Sequence, residues 1–381
     1  MQKIEFKQSK DFTVGVELEI QLIDPSTFDL TQATSRILKV LNKNPNFKHE
    51  LYESVIEINS NPCKNIQELE KDLISHVREL HKAATNLGIK ITMAGTHPAA
   101  SWSKQVLSPN KRYLDLVEKI QMPLRRMLTY GIHVHVGLNN GSEAVAVNNG
   151  IMNYLPHLLA VSCSSPYWVK RDSGMESYRV KVFETLPATG LPFRLDNWES
   201  FCELFFALKK AGSIESIREI WWDSRPHPDY GTVEVRICDA VPILSEVISI
   251  AALIQSLVAS LAERYRENNS LIPLPSFIIR QNKWRAARYG LDCRLITDKS
   301  GNTKPVKELV SNLIQELKPI SKNLGSEIQL EGINNILNTG TSSKRQRVVF
   351  EKTKGDWNAI VNSLINEFEE SWQLKRVNAS G

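Results

Sequence analysis

The stretch Val14-Gly15-Val16-Glu17-Leu18-Glu19-Ile20, VGVELEI, sets two carboxylates into an apolar run. In a strand, successive side chains point to opposite faces. Glu17 and Glu19 therefore share one face, and Val14, Val16, Leu18 and Ile20 share the other. Two like charges side by side on a sheet demand a reason.

Three more stretches repeat the pattern. In GIHVHVGL (131–138), Ile132, Val134 and Val136 oppose His133 and His135. In GTVEVRI (231–237), Val233, Val235 and Ile237 oppose Glu234 and Arg236. In YESVIEI (52–58), Ser54, Ile56 and Ile58 oppose Glu53, Val55 and Glu57. Any one of these reads equally well as an ordinary half-exposed strand. Four strands with acids and imidazoles on the polar face point to a shared chemical surface. Clustered carboxylates repel and hold protons unless a cation neutralises them. A divalent metal is the simplest neutraliser, and carboxylates favour Mg²⁺ or Mn²⁺. Zinc competes because of the His-Val-His pair, but no HExxH or cysteine cluster accompanies it. A sheet floor holding several Mg²⁺ ions suits phosphates.

The rest of the chain bounds the fold. Its 381 residues predict one large domain with appendages, or two domains. The apolar fraction of 42% is that of a globular protein. A net charge of +5 suggests no strong polyanion partner. Five scattered cysteines without a CxxC fit reduced thiols in a cytoplasmic protein. The N-terminus is too polar for a signal peptide. No apolar run reaches the roughly 18 residues of a membrane helix. Strands are expected over 12–23, the second half of 49–60, 89–98 running into a loop, 131–138 and 231–239. Helices are expected over 66–87, 144–159, 195–212, 243–266, 304–323 and 356–374, with the closing LKRVNASG fraying. There is no steady βαβ rhythm, GxGxxG or Walker A sequence. The expected class is α+β with a largely antiparallel sheet. The expected division is a catalytic core over 1–300 and a helical segment over 301–381 packed on it, as one continuous domain.

Two basic segments could meet phosphate. Residues 165–183 carry Lys170, Arg171, Arg179 and Lys181 around Gly174, which reads equally well as a solvated loop. Residues 278–292 place Arg280, Trp284 and Arg288 on one helical face, with Arg285 beside Arg288. The plain reading is a cationic amphipathic helix anchored by Trp284. The functional one is an arginine clamp on polyphosphate.

The motifs GVELE (15–19), HELYESVIEI (49–58), GTHP (95–98), GIHVHVG (131–137), SPYW…RDSG…SYR (165–179), WD.RPHP..GTVEVR..D (222–239) and W.A.RYGLD (284–292) occur in that order. In this the chain resembles the glutamate–cysteine ligase type 2 family, in its carboxylate–amine ligase branch, over roughly residues 11–375. The resemblance implies a glutamine synthetase-like fold, with ATP and Mg²⁺, or Mn²⁺, on the concave face of a curved antiparallel sheet and helices on its convex side. It implies ATP-dependent joining of a glutamate-type carboxylate to an amine through an acyl phosphate, with cysteine an uncertain amine.

By the same resemblance, Glu17, Glu19, Glu50, Glu57, His133 and Glu234 would hold metal, with His135 and Glu53 nearby. Glu234 would bridge metals, and Arg236 would hold the acceptor carboxylate or the transferring phosphoryl group. Arg179, Arg285, Arg288 and Trp284 would meet nucleotide or phosphate charge. Val169-Lys170 and Cys293 depart from the small residues expected after SPYW and RYGLD. The expected partners are small-molecule carboxylate and amine substrates, without nucleic acid or membrane; a homo-oligomer is left open. Two competing readings are a phosphotransferase on the same fold without ligation, and a nucleotide-responsive binding protein.

Overall fold

A computed structural model describes residues 4–268 and 271–373. The closing LKRVNASG lies outside the described residues. The main sheet is built from β1 (Val14–Ile23), β2 (Phe47–His49), β3 (Val55–Asn59), β4 (Lys90–Thr92), β5 (Ile132–Gly137), β6 (Ser224–His227) and β7 (Thr232–Val235). Its order is β2-β3-β1-β5-β7-β6, with β4 pairing the far end of β1. Every pairing in it is antiparallel. The alternation of VGVELEI becomes geometry here: Val14, Val16, Leu18 and Ile20 are buried, while Gly15, Glu17 and Glu19 are partly open.

The apolar face is covered by α1 (Ile66–Asn86) and α6 (Leu244–Arg266). In α1, Ile66, Leu69, Leu73, Val77 and Leu80 are buried at spacings of three and four, the period of one helix face. Each such buried side chain contributes about 1.5–3 kcal/mol. The Asn65 side chain accepts the Glu68 N–H and caps the helix. In length and composition α6 is apolar enough to cross a membrane, which the sequence reading had not expected, but 83% of its apolar window is buried inside the protein. It is the central core helix, touching β1, β5 and several other helices.

The helix expected over 144–159 is two helices, α3 (Gly141–Ile151) and α4 (Leu155–Ser162). Pro156 stands in the first turn of α4, where its missing N–H costs nothing; inside one continuous helix its ring would meet the Met152 carbonyl. The 89–98 stretch forms a strand only over β4, leaving GTHP as a loop with one isolated bridge from Thr96 to Thr129. Further helices are α2 (Lys111–Ile120), α5 (Trp198–Lys210), α7 (Ser276–Tyr289), α8 (Val306–Asn323), α9 (Ser342–Lys352) and α10 (Trp357–Gln373). α8 and α10 pack on α6, α10 also on β4, and α9 on α10. All five cysteines are free and buried.

Candidate active site

The pairing register lays the polar side chains of the second sheet face in three rows. Lys48, Glu57 and Glu19 stand across β2, β3 and β1. Asn59, Glu17 and His133 stand across β3, β1 and β5, with the Arg236 guanidinium 3.4 Å from His133 Nδ1. His135, Glu234 and Arg225 stand across β5, β7 and β6. Above them opens a cavity of about 640 Å³. Glu50, Arg112, Tyr113, Arg218, Trp221, His227 and Tyr230 complete its walls.

The β5–β7 side is internally neutralised. Glu234 is 1% exposed and lies between Arg225, whose Nε donates at 2.7 Å, and Arg236, which donates to its other oxygen. Burial alone would raise its pKa, but Arg225, Arg236 and His135 outweigh that and hold the carboxyl well below the usual carboxylate range. Arg225 also donates to the carbonyls of Ile217 and Ile220. Burial likewise opposes ionisation of Glu17, and the hydrogen bond of His133 with the nearby His135 imidazole, 3.5 Å away, overcomes it, again leaving the carboxyl well below its ordinary value.

His133 Nδ1 is 3.1 Å from Glu17 Oε2. A carboxylate can only accept, so Nδ1 carries the proton and Nε2 keeps its lone pair. That Nε2 is buried without a hydrogen-bond partner, as is Nε2 of His135, whose Nδ1 lies 3.0 Å from Thr232 Oγ1. Burial and then Arg236 lower the His133 pKa, favouring the neutral imidazole that ligates metals. One ligand atom each from Glu17, His133 and Glu234 lie within 4.8 Å of one another. Two carboxylates and an imidazole in this largely buried setting fit a divalent cation, and the His133 Nε2 lone pair faces Glu19, whose Oε1 is 4.0 Å away.

The β1–β3 side is different. Glu19 and Glu57 face each other across the pairing. Burial and then Glu19 push the Glu50 carboxyl up to about 7. Burial, then Glu17 and Glu50, push Glu57 well above the ordinary value. Local donors are few: Asn59 Nδ2 reaches Glu57 at 2.6 Å, the Leu51 N–H reaches Glu50 at 3.2 Å, and the Gly131 N–H reaches Glu19. Lys48, on the same row, donates to Asn59 at 3.0 Å and makes no ion pair among the described residues. Glu53, by contrast, accepts the Ser35 N–H and hydroxyl at 2.9 and 2.6 Å, outside the cavity lining.

The structure separates the expected phosphate-binding residues. Arg179 is 3% exposed, and its guanidinium donates to the carbonyls of Ile237 and Arg236, both at 3.2 Å, beneath the floor. Trp284, Arg285 and Arg288 do not line the cavity. α7 buries Ile278, Ile279, Asn282, Lys283, Ala286 and Ala287 instead, because its apolar stripe runs through those positions. Trp284 is 40% exposed against Tyr289, Arg285 donates to the Arg294 carbonyl at 3.0 Å, and Arg288 lies over the Tyr289 ring at 4.9 Å. Lys283, one residue from Trp284, is the cation that turns inward, 2.6 Å from Asp223 and 2.9 Å from Glu184.

Sequence alone assigned no role to Arg225, His227, Tyr230 or Tyr113, and Arg112, in the helix start SPNKRYLDL (108–116), is uninformative without the fold. Arg225 and His227 alternate like the other floor residues, but Pro226 between them disguised the strand. A proline is tolerated there because β6 is an edge of the sheet. Tyr230 stacks on His227 with ring centroids 4.3 Å apart and is 46% exposed. The departure at Val169-Lys170 falls on two residues with φ of 50° and 55°, the left-handed region where small residues are favoured.

The family described as "Glutamate-cysteine ligase family 2" matches residues 13–363. A provisionally named glutamate–cysteine ligase 2 of Thermobifida fusca is 42% identical over 372 residues, covering 96% of this chain and 93% of the relative. A similarly named protein of Bdellovibrio bacteriovorus is 38% identical over 370 residues, covering 97% and 98%. Two solved structures share the fold at low identity. A glutamate–cysteine ligase of Francisella tularensis in complex with AMP gives a TM-score of 0.63 at 13% identity, covering 98% of this chain and 95% of that one. A bifunctional glutathione synthetase of Pasteurella multocida gives 0.69 at 15%, covering 97% of this chain but 53% of that one, so the chain spans about half its length.

Proposed function

The chain belongs to the glutamate–cysteine ligase family 2, and on that premise we propose that its cavity joins the side-chain carboxylate of a glutamate-type substrate to an amine. It is an ATP-dependent carboxylate–amine ligase with a glutamine synthetase-like fold, acting on small molecules and using a divalent metal. The finer assignments are ours. The metal is Mg²⁺ or Mn²⁺, held by Glu17, His133 and Glu234 on one side of the floor and by Glu19, Glu50 and Glu57 on the other. The observation that carries this is the three-row floor, with its unpartnered His133 Nε2 and its uncompensated carboxylates.

The chemistry takes two displacements. A substrate carboxylate oxygen attacks the γ-phosphorus of ATP, forming an acyl phosphate as the bond to the ADP oxygen breaks. The amine nitrogen then attacks the acyl carbon, phosphate leaves with the bridging oxygen, and the nitrogen loses a proton. A divalent metal held by these carboxylates and His133 would supply neutralisation of phosphate charge.

The chain's own residues position and neutralise. Arg236 is held at the cavity surface by Glu234 and presents its remaining N–H groups to an anion; its Nε is buried without a partner. Arg225 fixes Glu234 from the other side, so the pair is set before substrate arrives, which is where such sites gain their rate. The exposed ring of Tyr230, backed by His227, supplies an aromatic shelf for the nucleotide base. That orientation leaves the Glu50–Tyr113 end for the carboxylate and amine. No side-chain nucleophile is needed, because in-line placement and charge neutralisation carry phosphoryl transfer.

In this proposal residues 1–300 are the catalytic core and 301–381 its helical support, the enzyme works in the cytoplasm, and neither nucleic acid nor membrane is a partner. The test is purified protein with ATP, Mg²⁺ or Mn²⁺, glutamate and a panel of amines including hydroxylamine. ADP and an amide or hydroxamate should form together. Amine-independent ADP formation with a stable phosphorylated product would favour a phosphotransferase; no turnover with any amine would sink the ligase assignment.

A further inference from the structure

Two of the sequence motifs, GTHP and SPYW…RDSG…SYR, contribute nothing to the cavity lining, yet both converge on one buried carboxylate at the end of a third. Asp239, the last residue of the WD.RPHP..GTVEVR..D motif, is 0% exposed. Its Oδ2 accepts the Ser164 N–H at 2.9 Å and the Ser165 hydroxyl at 2.7 Å; its Oδ1 accepts the Ser177 hydroxyl at 2.8 Å. Ser165 opens SPYW and Ser177 opens SYR. Gly95 opens GTHP, and a Cβ placed on it would lie 2.6 Å from the Asp239 carboxyl. A glycine there lets the loop backbone close over the acid.

The network leads to the floor from two directions. Ser165 Oγ, held by Asp239, accepts the Arg179 N–H at 3.0 Å. The Arg179 guanidinium then reaches the carbonyls of Arg236 and Ile237. It also fills the space beside Gly131, where a Cβ would overlap its Nη2. The backbone of Asp239 itself bridges to Gly131, and Gly131 donates to the Glu19 carboxylate. On the far side, Gln346 of α9 donates to the Ser164 carbonyl at 3.0 Å, and Ser164 Oγ pairs with Ser342 Oγ at 2.9 Å. A buried polar cluster whose central carboxylate accepts three hydrogen bonds specifies one arrangement of the elements it joins.

We propose that Asp239 is a positioning residue. It pins the 164–179 loop so that Arg179 clamps the outgoing end of the GTVEVR strand and sets Arg236 over Glu234. This rests on the role given to Arg236 above. Arg179 is then a positioning residue too, acting on the Arg236 backbone and not on phosphate.

The test uses the full chain with Asp239→Asn, Arg179→Ala, their combination, and Ser177→Ala. Melting temperature establishes folding. In folded Asp239→Asn, hydroxamate formation from glutamate, ATP, Mg²⁺ and hydroxylamine should fall about 100-fold in kcat, the scale of a reacting group misplaced by an ångström. Affinity for a non-hydrolysable ATP analogue with Mg²⁺ should stay within about threefold, and the double variant should lose no more than Arg179→Ala alone. A folded Asp239→Asn with unchanged kcat, or losses that multiply in the double variant, overturns the proposal. If Asp239→Asn does not fold, Ser177→Ala, which removes one hydrogen bond, decides on kcat: a fall of about threefold or more supports it, no change refutes it. Should wild type turn over no amine of the panel, the ligase reading fails by itself. Amide exchange still judges the positioning: selective acceleration at residues 131–133 and 236–238 in the variant supports it, and unchanged exchange there overturns it.

Discussion

The two halves of the floor carry similar acids and solve their charge problem differently. On the β5–β7 side, Glu234 has Arg225 and Arg236, and Glu17 has two imidazoles, so both carboxyls are held ionised. On the β1–β3 side, Glu19, Glu50 and Glu57 stand together with no arginine between them, and Glu50 and Glu57 are pushed toward protonation. One half holds its carboxylates ionised before any cation arrives; the other needs an added cation to ionise fully. The same residue type should therefore respond to substitution with opposite sign in the two halves.

The largest effect is expected at Glu234. Glu234→Gln should lower turnover by at least ~100-fold, as loss of a preorganised electrostatic group does. It should also destabilise the protein by about 3 kcal/mol in chemical denaturation, because Arg225 stays buried without its counter-ion. A stability within experimental error of wild type would break the claim that this half is internally neutralised.

Glu57→Gln should sharpen the contrast. Mn²⁺ affinity, measured by calorimetry, should fall by at least ~10-fold. The metal-free protein should become more stable by about 1 kcal/mol at neutral pH, since the folded state no longer has to take up a proton at this position. A destabilised metal-free variant would show that the β1–β3 acids are already satisfied.

The pH dependence follows from Glu50. Its folded pKa of about 7 stands above the ordinary carboxylate value, so between roughly pH 5 and 7 the folded state holds a proton that the unfolded state has lost. Stability of the metal-free protein from this group therefore declines as pH rises through that window. Glu50→Gln removes the decline, so in chelator its advantage over wild type should grow from pH 5 to 7. Glu50 is half-buried, and solvent screening limits the gain to about 1 kcal/mol. A constant difference across the window would place that proton on another group.

The smallest effects are expected on α7. Arg285→Ala and Arg288→Ala should change kcat and the KM for ATP by less than about threefold, as for surface groups away from a site. A tenfold loss in either would return that helix to the nucleotide.

The floor was legible because strands convert sequence alternation directly into faces. Glu17, Glu19, His133, Glu234 and Arg236 each sit opposite an apolar neighbour that must be buried, so the burial of Val16, Leu18 and Val235 aims them. The α7 arginines were not legible in the same way. Helical spacing groups residues on a face but does not say which face turns inward, and Lys283 turned in because Asp223 and Glu184 meet it from elsewhere in the chain. Arg225 and His227 were hidden by Pro226, whose permission to sit in a strand depends on an edge position that only the sheet order reveals. Asp239 could not be interpreted before Ser164, Ser165 and Ser177 were seen around it, since three donors from a distant loop fix its meaning.

The central claim is that the substrate carboxylate itself attacks ATP on this floor. Glutamate carrying heavy oxygen in its side-chain carboxylate, turned over with ATP, Mg²⁺ and hydroxylamine, tests it most directly. An acyl phosphate predicts one heavy oxygen transferred into each phosphate released. Product formation with unlabelled phosphate would contradict it.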